Sequence, residues 1–138
     1  MLLSFKKRFI APIQLGIKVF TLRKRRKIRP KIGETIHMYS GLRTKNTQFI
    51  SNKDSLRSIQ NVRLTISSVC IHERTFFKIK IFVDRRKLSR DEICEFVKFD
   101  GFTDISDFCN YWLTDEKGKK KSRTGALMEL YHWTDLKY

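Results

Sequence analysis

Two neighbouring stretches, "VRLTISSVCI" (62–71) and "FFKIKIFV" (76–83), restrict the fold more than anything else in the chain. In the second, Phe77, Ile79, Ile81 and Val83 fall on one side of an extended backbone, with Lys78 and Lys80 on the other. A period of two marks a half-buried strand, so a β-sheet with one wet, basic face has to be part of the molecule. Shorter strand signals are "LLSFKK" near the start, "KVFTLR" (18–23), "TIHMYS" (35–40) and the closing "LMELYHWTDLKY" (127–138). In "TIHMYS", Ile36 and Met38 alternate with His37 and Tyr39. The polar stretch 41–61 reads as a short strand and a long loop.

Helices have clear signals too. Pro12 suits a first helical turn and Gly16 a stop, which predicts a short helix over about 9–15. Ser89 and Glu92 have capping-box spacing, followed by a stripe of Ile93, Phe96 and Val97 that Gly101 ends. "DISDFCNYWL" repeats the pattern with Ile105, Phe108 and Trp112. "DEKGKKKSRTG" (115–125) reads as a basic, mobile loop. The 138 residues suit a single domain, 1–138, of α+β class whose short strands curl into a small barrel with helices at its flank.

Charge then limits the partner. The chain has 30 Lys and Arg against 14 Asp and Glu, a formal net charge of +16. Such an excess repels itself in the folded state and answers to a polyanion, for which nucleic acid is the natural choice. No stretch approaches the roughly 20 apolar residues of a spanning helix, and none joins a strong helical moment to a polybasic flank, so a membrane partner is not expected. The first acidic residue is Glu34, which leaves every cation through Lys31 in a carboxylate-free segment. Lys6, Lys7 and Arg8 interrupt the apolar start before a signal-peptide core can form. Cys70, Cys94 and Cys109 are an odd, scattered set that reads as reduced thiols in the cytoplasm. Cys70 and His72 lack a second close pair of ligands, so neither a metal site nor a cofactor is expected.

The stretch "GIKVFTLRKRRK" (16–27) carries the densest chemistry. Lys18 and Thr21 are three apart and would point to opposite faces of a regular strand. They converge only if Lys18 sits at a bend after Gly16, which glycine permits. Thr21 and Arg23 share a face. Next come Lys24, Arg25, Arg26, Lys27 and Arg29, a run that buries nothing and suits a phosphate-holding rim. Each residue also has a plain structural reading: Lys18 as surface charge, Thr21 as an ordinary strand residue, the run as a solvated loop. Arg43 and Lys45, flanking Thr44 after Gly41, have the look of an anion-holding turn or of a solvated hairpin. Tyr39, His132 and Trp133 offer rings for base stacking, though strand spacing favours the core for Trp133.

Taken in order, "PIQLGIKVFTLR", "KIGETIHMYSGLRTK", "RLTISSVCI" and "LSRDEICEFVKFDGFTDISDFCNYW" resemble the ASCH domain of small bacterial or phage proteins, a relative of the PUA fold. The resemblance covers nearly the whole chain. It implies a PUA-like β-barrel with a cleft beside the first helix that meets RNA or nucleosides. One bacterial branch is similar to N4-acetylcytidine amidohydrolases, in which a lysine, a threonine and a glutamate carry the reaction. Carried over, these fall on Lys18, Thr21 and Asp100, the last at the acidic-Gly-Phe corner of Asp100, Gly101 and Phe102. Aspartate is one methylene shorter than the family's glutamate, so catalysis turns on whether Asp100 reaches Lys18. The expected function is therefore RNA binding in a basic cleft floored by Lys18, Thr21 and Arg23. The alternatives are a nucleoside amidohydrolase or RNA-processing hydrolase that uses the same floor, and a nonspecific DNA-associating protein.

Overall fold

The computed structural model describes residues 1–138 apart from 53, 115, 116 and 122. The chain opens with strand β1 (Leu2–Phe5), a 3₁₀ turn (Lys7–Phe9), helix α1 (Ile10–Gln14) and strand β2 (Phe20–Lys24). Strands β3 (His37–Ser40), β4 (Gln48–Ser51), β5 (Ser58–Ile71), β6 (Arg74–Val83) and β7 (Arg86–Lys87) follow. Helices α2 (Arg90–Phe99) and α3 (Ile105–Leu113) lead to strand β8 (Arg123–His132). The α+β class is as the sequence predicts.

The two alternating segments pair with each other, as β5 and β6 of an antiparallel hairpin. His72 and Glu73 turn it, both at positive φ (50° and 62°), the geometry that a two-residue hairpin turn requires. His72 is thus a turn residue. The complete sheet has the order β2-β8-β5-β6-β7, and a second sheet has the order β1-β3-β4. Ile81 and Val83 of β6 are buried, Phe77 and Ile79 partly so, while Lys78 and Lys80 are exposed. Sidedness along β6 follows the period of two.

α2 begins as the sequence predicts, with Ser89 and Glu92 each bonded to the other's backbone in a full capping box. Its buried stripe of Ile93, Phe96 and Val97 faces the core. A chain of ring contacts runs from the sheet outward: Phe20 to Phe96, Phe96 to Phe108, Phe108 to Phe102, and Phe102 to Phe9. Burying each such ring contributes about 1.5–3 kcal/mol, and the series ties both helices and the 3₁₀ turn to β2. Among the described residues, no helix is long and apolar enough to cross a membrane.

Two expectations need correction. The first is barrel closure. The sheets are not closed into a barrel: β2 remains an edge of the larger sheet, and no backbone ladder joins it to β1 among the described residues. Arginine side chains span the gap instead. Arg23 Nη2 donates to the Ser4 carbonyl at 2.6 Å and Arg26 Nη2 to the Leu2 carbonyl at 3.0 Å. A guanidinium bridge holds two strands further apart than the ~4.8 Å of a ladder, and the seam stays open.

The second concerns the basic loop 115–125. Positions 115, 116 and 122 lie outside the described residues, but β8 already starts at Arg123, where Arg123, Thr124 and Gly125 pair with Ser67, Ile66 and Thr65. The long β5 provides a template that overrides polar local composition. Lys120 also bridges Thr114. At its other end β8 stops at His132, before the expected end of the last strand.

Candidate functional site

Lys18 is held in place from two sides. Gly16 turns the chain out of α1 at φ 73°, and the Ile17 and Lys18 amides both donate to the Pro12 carbonyl, at 2.9 and 3.0 Å. The Val19 amide donates to the Phe99 carbonyl at the end of α2, at 2.9 Å. Lys18 therefore sits at the bend before β2, and its side chain turns inward to 2% exposure. Nζ donates to Asp100 Oδ1 at 2.5 Å and to the Asp100 carbonyl at 2.6 Å. It also lies 4.7 Å from the Phe9 ring centroid and 5.8 Å from that of Phe5. Such ring faces favour a cation.

Asp100 caps the C-terminus of α2, and its exposure is 2%. The next residue must be glycine. Gly101 has φ 91°, and a Cβ there would lie 3.1 Å from Phe9 Cδ1 and 3.2 Å from Lys18 Cδ. The acidic-Gly-Phe corner thus has three distinct parts: Asp100 holds the amine, Gly101 lets the lysine stem pass, and Phe102 packs on Phe9 and Phe108.

Burial pushes the Lys18 amine below its usual range, against the pull of Asp100, which favours the charged form. It pushes the Asp100 carboxyl up, against the opposing effect of Lys18. Both shifts bring a neutral amine and a neutral acid closer in energy to the ion pair. The shorter side chain reaches.

Thr21 (4% exposed) and Arg23 share one face of β2, opposite Tyr131 and Glu129 of β8. Arg23 Nε donates to Thr21 Oγ1 at 3.2 Å, and its guanidinium lies 4.8 Å from the Phe5 ring centroid. The threonine hydroxyl accepts that bond and keeps its own proton for a ligand. Lys18, Thr21, Arg23 and Asp100 all line one cleft of about 810 Å³ that lies along the β2 edge. The predicted floor is assembled in one place.

The predicted rim divides. Lys24 lines the cleft. Arg25 and Arg29 turn instead to Glu129, whose Oε1 is 3.7 Å from Arg25 Nε and 2.7 Å from Arg29 Nη2. Arg26 ties β2 to β1, and Lys27 is exposed. Arg43 and Lys45 are exposed outside the cleft, although Gly41, Thr44 and Asn46 of the same turn line it. Of the candidate stacking rings, Trp133 is core and packs edge-on to Phe5, His132 is wholly buried, and Tyr39 meets Phe49.

Sequence reasoning missed several residues of the site. Lys6 and Lys7 line the cleft from the 3₁₀ turn, and Tyr111 and Trp112 from α3. Lys6 sits 4.8 Å above the Tyr111 ring centroid. Glu129 is the other omission. This carboxylate is 1% exposed, bonded by Arg29 and by the Tyr131 hydroxyl at 2.9 Å each. The available signal was a lone acid between Met128 and Leu130 in an apolar strand.

No protein-family model matches this chain, no curated protein matches its sequence, and no solved structure matches it.

Proposed function

We propose that this chain is an ASCH-type, PUA-like domain that binds RNA in the cleft beside β2, taking one nucleotide over the Lys18–Asp100 pair. The observation that carries the reading is convergence. Three of the four stretches that carry the resemblance contribute to a single concavity, the first with Lys18 and Thr21, the second with Ser40 and the last with Asp100, and Lys6, Lys7, Arg23 and Lys24 also line it. Cations around a floor with a hydroxyl, an edge strand and aromatic rings suit a phosphate-linked base better than a small neutral metabolite. Four such cations predict that log affinity for a single strand falls against log salt with a slope of about −3. Fluorescence anisotropy with a labelled oligouridylate, titrated with salt, tests this. A flat dependence or no binding at low salt overturns it.

The direct contact between Lys18 Nζ and Asp100 Oδ1 favours a second reading, an amidohydrolase acting on an N4-acylated cytidine in the same cleft. Perturbed acid and base groups paired in a cleft are the pattern that general acid–base chemistry uses. Neutral Lys18 would take a proton from water, whose oxygen bonds to the acyl carbon. The C–N bond then breaks, and the proton returns through Lys18 and Asp100 to the departing cytosine nitrogen, releasing acetate and cytidine. Thr21 would hold the acyl oxygen with its free hydroxyl proton, and Arg23 the base edge or phosphate.

A further inference from the structure

Beside the cleft, the outward face of the five-stranded sheet has a second concavity of about 580 Å³. Arg25, Asn61, Arg63, Phe82, Arg85 and Leu127 line it. The ladder explains the grouping: Arg63 lies opposite Leu127 on one side and Phe82 on the other, and Asn61 lies opposite Glu129. Residues directly opposite each other in a ladder share a face, so a guanidinium is set between two large apolar side chains.

Ordinarily an exposed arginine is simply solvated, but three features separate this group from that case. Arg63 and Arg85 are exposed and have no hydrogen bond or ion pair among the described residues. The one acid in the wall, Glu129, is 1% exposed and already satisfied by Arg29 and Tyr131, so it leaves these two charges standing. Leu127, at one end of the row, is 73% exposed, so an apolar side chain stands open beside these charges.

The two concavities adjoin. Lys24 lines the first and its neighbour Arg25 the second, while Met128 lines both. Beyond Phe82 the same face continues to Lys80 and Lys78, spaced about 7 Å apart by the strand repeat. We propose that the second concavity binds the same RNA strand one or more nucleotides beyond the cleft. Arg63 and Arg85 there hold phosphate, and Phe82 and Leu127 cover a base. This rests on the RNA reading of the cleft and adds a length requirement to it. Guanidinium forks match phosphate oxygens, and apolar side chains among them match the faces of unstacked bases.

The test compares labelled oligouridylates of about 4 and about 16 nucleotides, with an Arg63→Ala/Arg85→Ala variant. The control is Arg90→Ala/Lys98→Ala, which removes the same charge from exposed positions on α2. Losing two phosphate contacts should weaken the long strand on the order of tenfold at about 0.1 M salt, and flatten its salt slope by about 1.4. The short strand, read by the cleft alone, should bind as before, and the α2 variant should match the unaltered protein on both strands. Equal losses in the two double variants, or no change in the long strand, overturn the second site and leave the cleft standing. Failure of the unaltered protein to bind either strand overturns the cleft reading itself.

Discussion

Lys18 and Asp100, 82 positions apart in the chain, meet at 2.5 Å with both side chains almost fully withdrawn from solvent. A buried pair of this kind is poor evidence for stability, because desolvating two charges costs about as much as their attraction returns. It is better evidence for a site whose protonation matters, and the consequences can be measured.

Removing the lysine leaves a carboxylate buried without a counter-charge. Its folded-state value, already pushed above the ordinary carboxylate range by burial, then loses the one group whose charge holds it down most. A folded pKa above the unfolded one gives stability that is complete below the unfolded value and lost as pH rises. Lys18→Met should therefore be closest to the unaltered protein near pH 4 and lose on the order of 3–5 kcal/mol toward neutral pH. Lys18→Met/Asp100→Leu should recover most of that loss, since an apolar pair needs no charge. Urea unfolding at several pH values reads both, and a pH-independent cost in the single variant would contradict the buried-charge account.

Gly101 tests the corner by shape alone. Alanine there would have to adopt φ 91° and crowd Phe9 and the Lys18 stem. The expected cost is about 1–3 kcal/mol, from backbone strain and from the shift of Lys18 off Asp100. Thermal unfolding together with RNA binding checks it: a loss of stability without a loss of affinity would mean that the cleft does not depend on this approach.

Much of this geometry is readable in the sequence because local rules dominate it. A glycine after a short helix put Lys18 at a bend, and the period of two set the faces of β6. Capping-box spacing started α2 where Ser89 and Glu92 stand. Barrel closure was different in kind. Whether an edge strand zips to another depends on distances between strands, and here Arg23 and Arg26, read as ligand-binding charges, bridge the seam. Likewise no local pattern shows that Arg25 and Arg29 would turn to Glu129 or that Arg123 would enter a strand, because each depends on a partner distant in the chain.

His132 makes an independent prediction about acid stability. It is wholly buried on β8 with its ring edge-on to Phe20, and burial holds it down to about 4. The unfolded chain takes up this proton near the ordinary imidazole value of 6.5, so between about 6.5 and 4 the unfolded state binds more protons. Stability from this group is present above 6.5 and is lost as pH falls through that window, on the order of 3 kcal/mol in all. Among the described residues neither ring nitrogen has a hydrogen-bond partner, so His132→Phe should keep the packing, remove the loss on acidification and cost little at neutral pH. An unchanged acid slope in that variant would assign the effect elsewhere.

The last prediction separates binding from catalysis. If the cleft is an amidohydrolase, the protein releases acetate from N4-acetylcytidine, and Lys18→Ala lowers the rate by about 10²–10⁴-fold, the usual contribution of a positioned base. Asp100→Asn keeps the shape but removes the proton relay, and should be nearly as damaging. Asp100→Glu is the informative change. The glutamate of the amidohydrolases that the chain resembles adds reach, yet Asp100 already touches Nζ from a buried position, so an added methylene must displace Lys18 or the carboxylate itself. Overpacking of that kind costs about 1–3 kcal/mol and moves the acid past the amine. The expected outcome is a slower and less stable Asp100→Glu protein, with Lys18 geometry lost rather than restored. Rapid hydrolysis that survives both Lys18→Ala and Asp100→Asn would place the chemistry on other residues. No acetate release, with RNA binding intact, would leave the pair as the floor of a binding cleft.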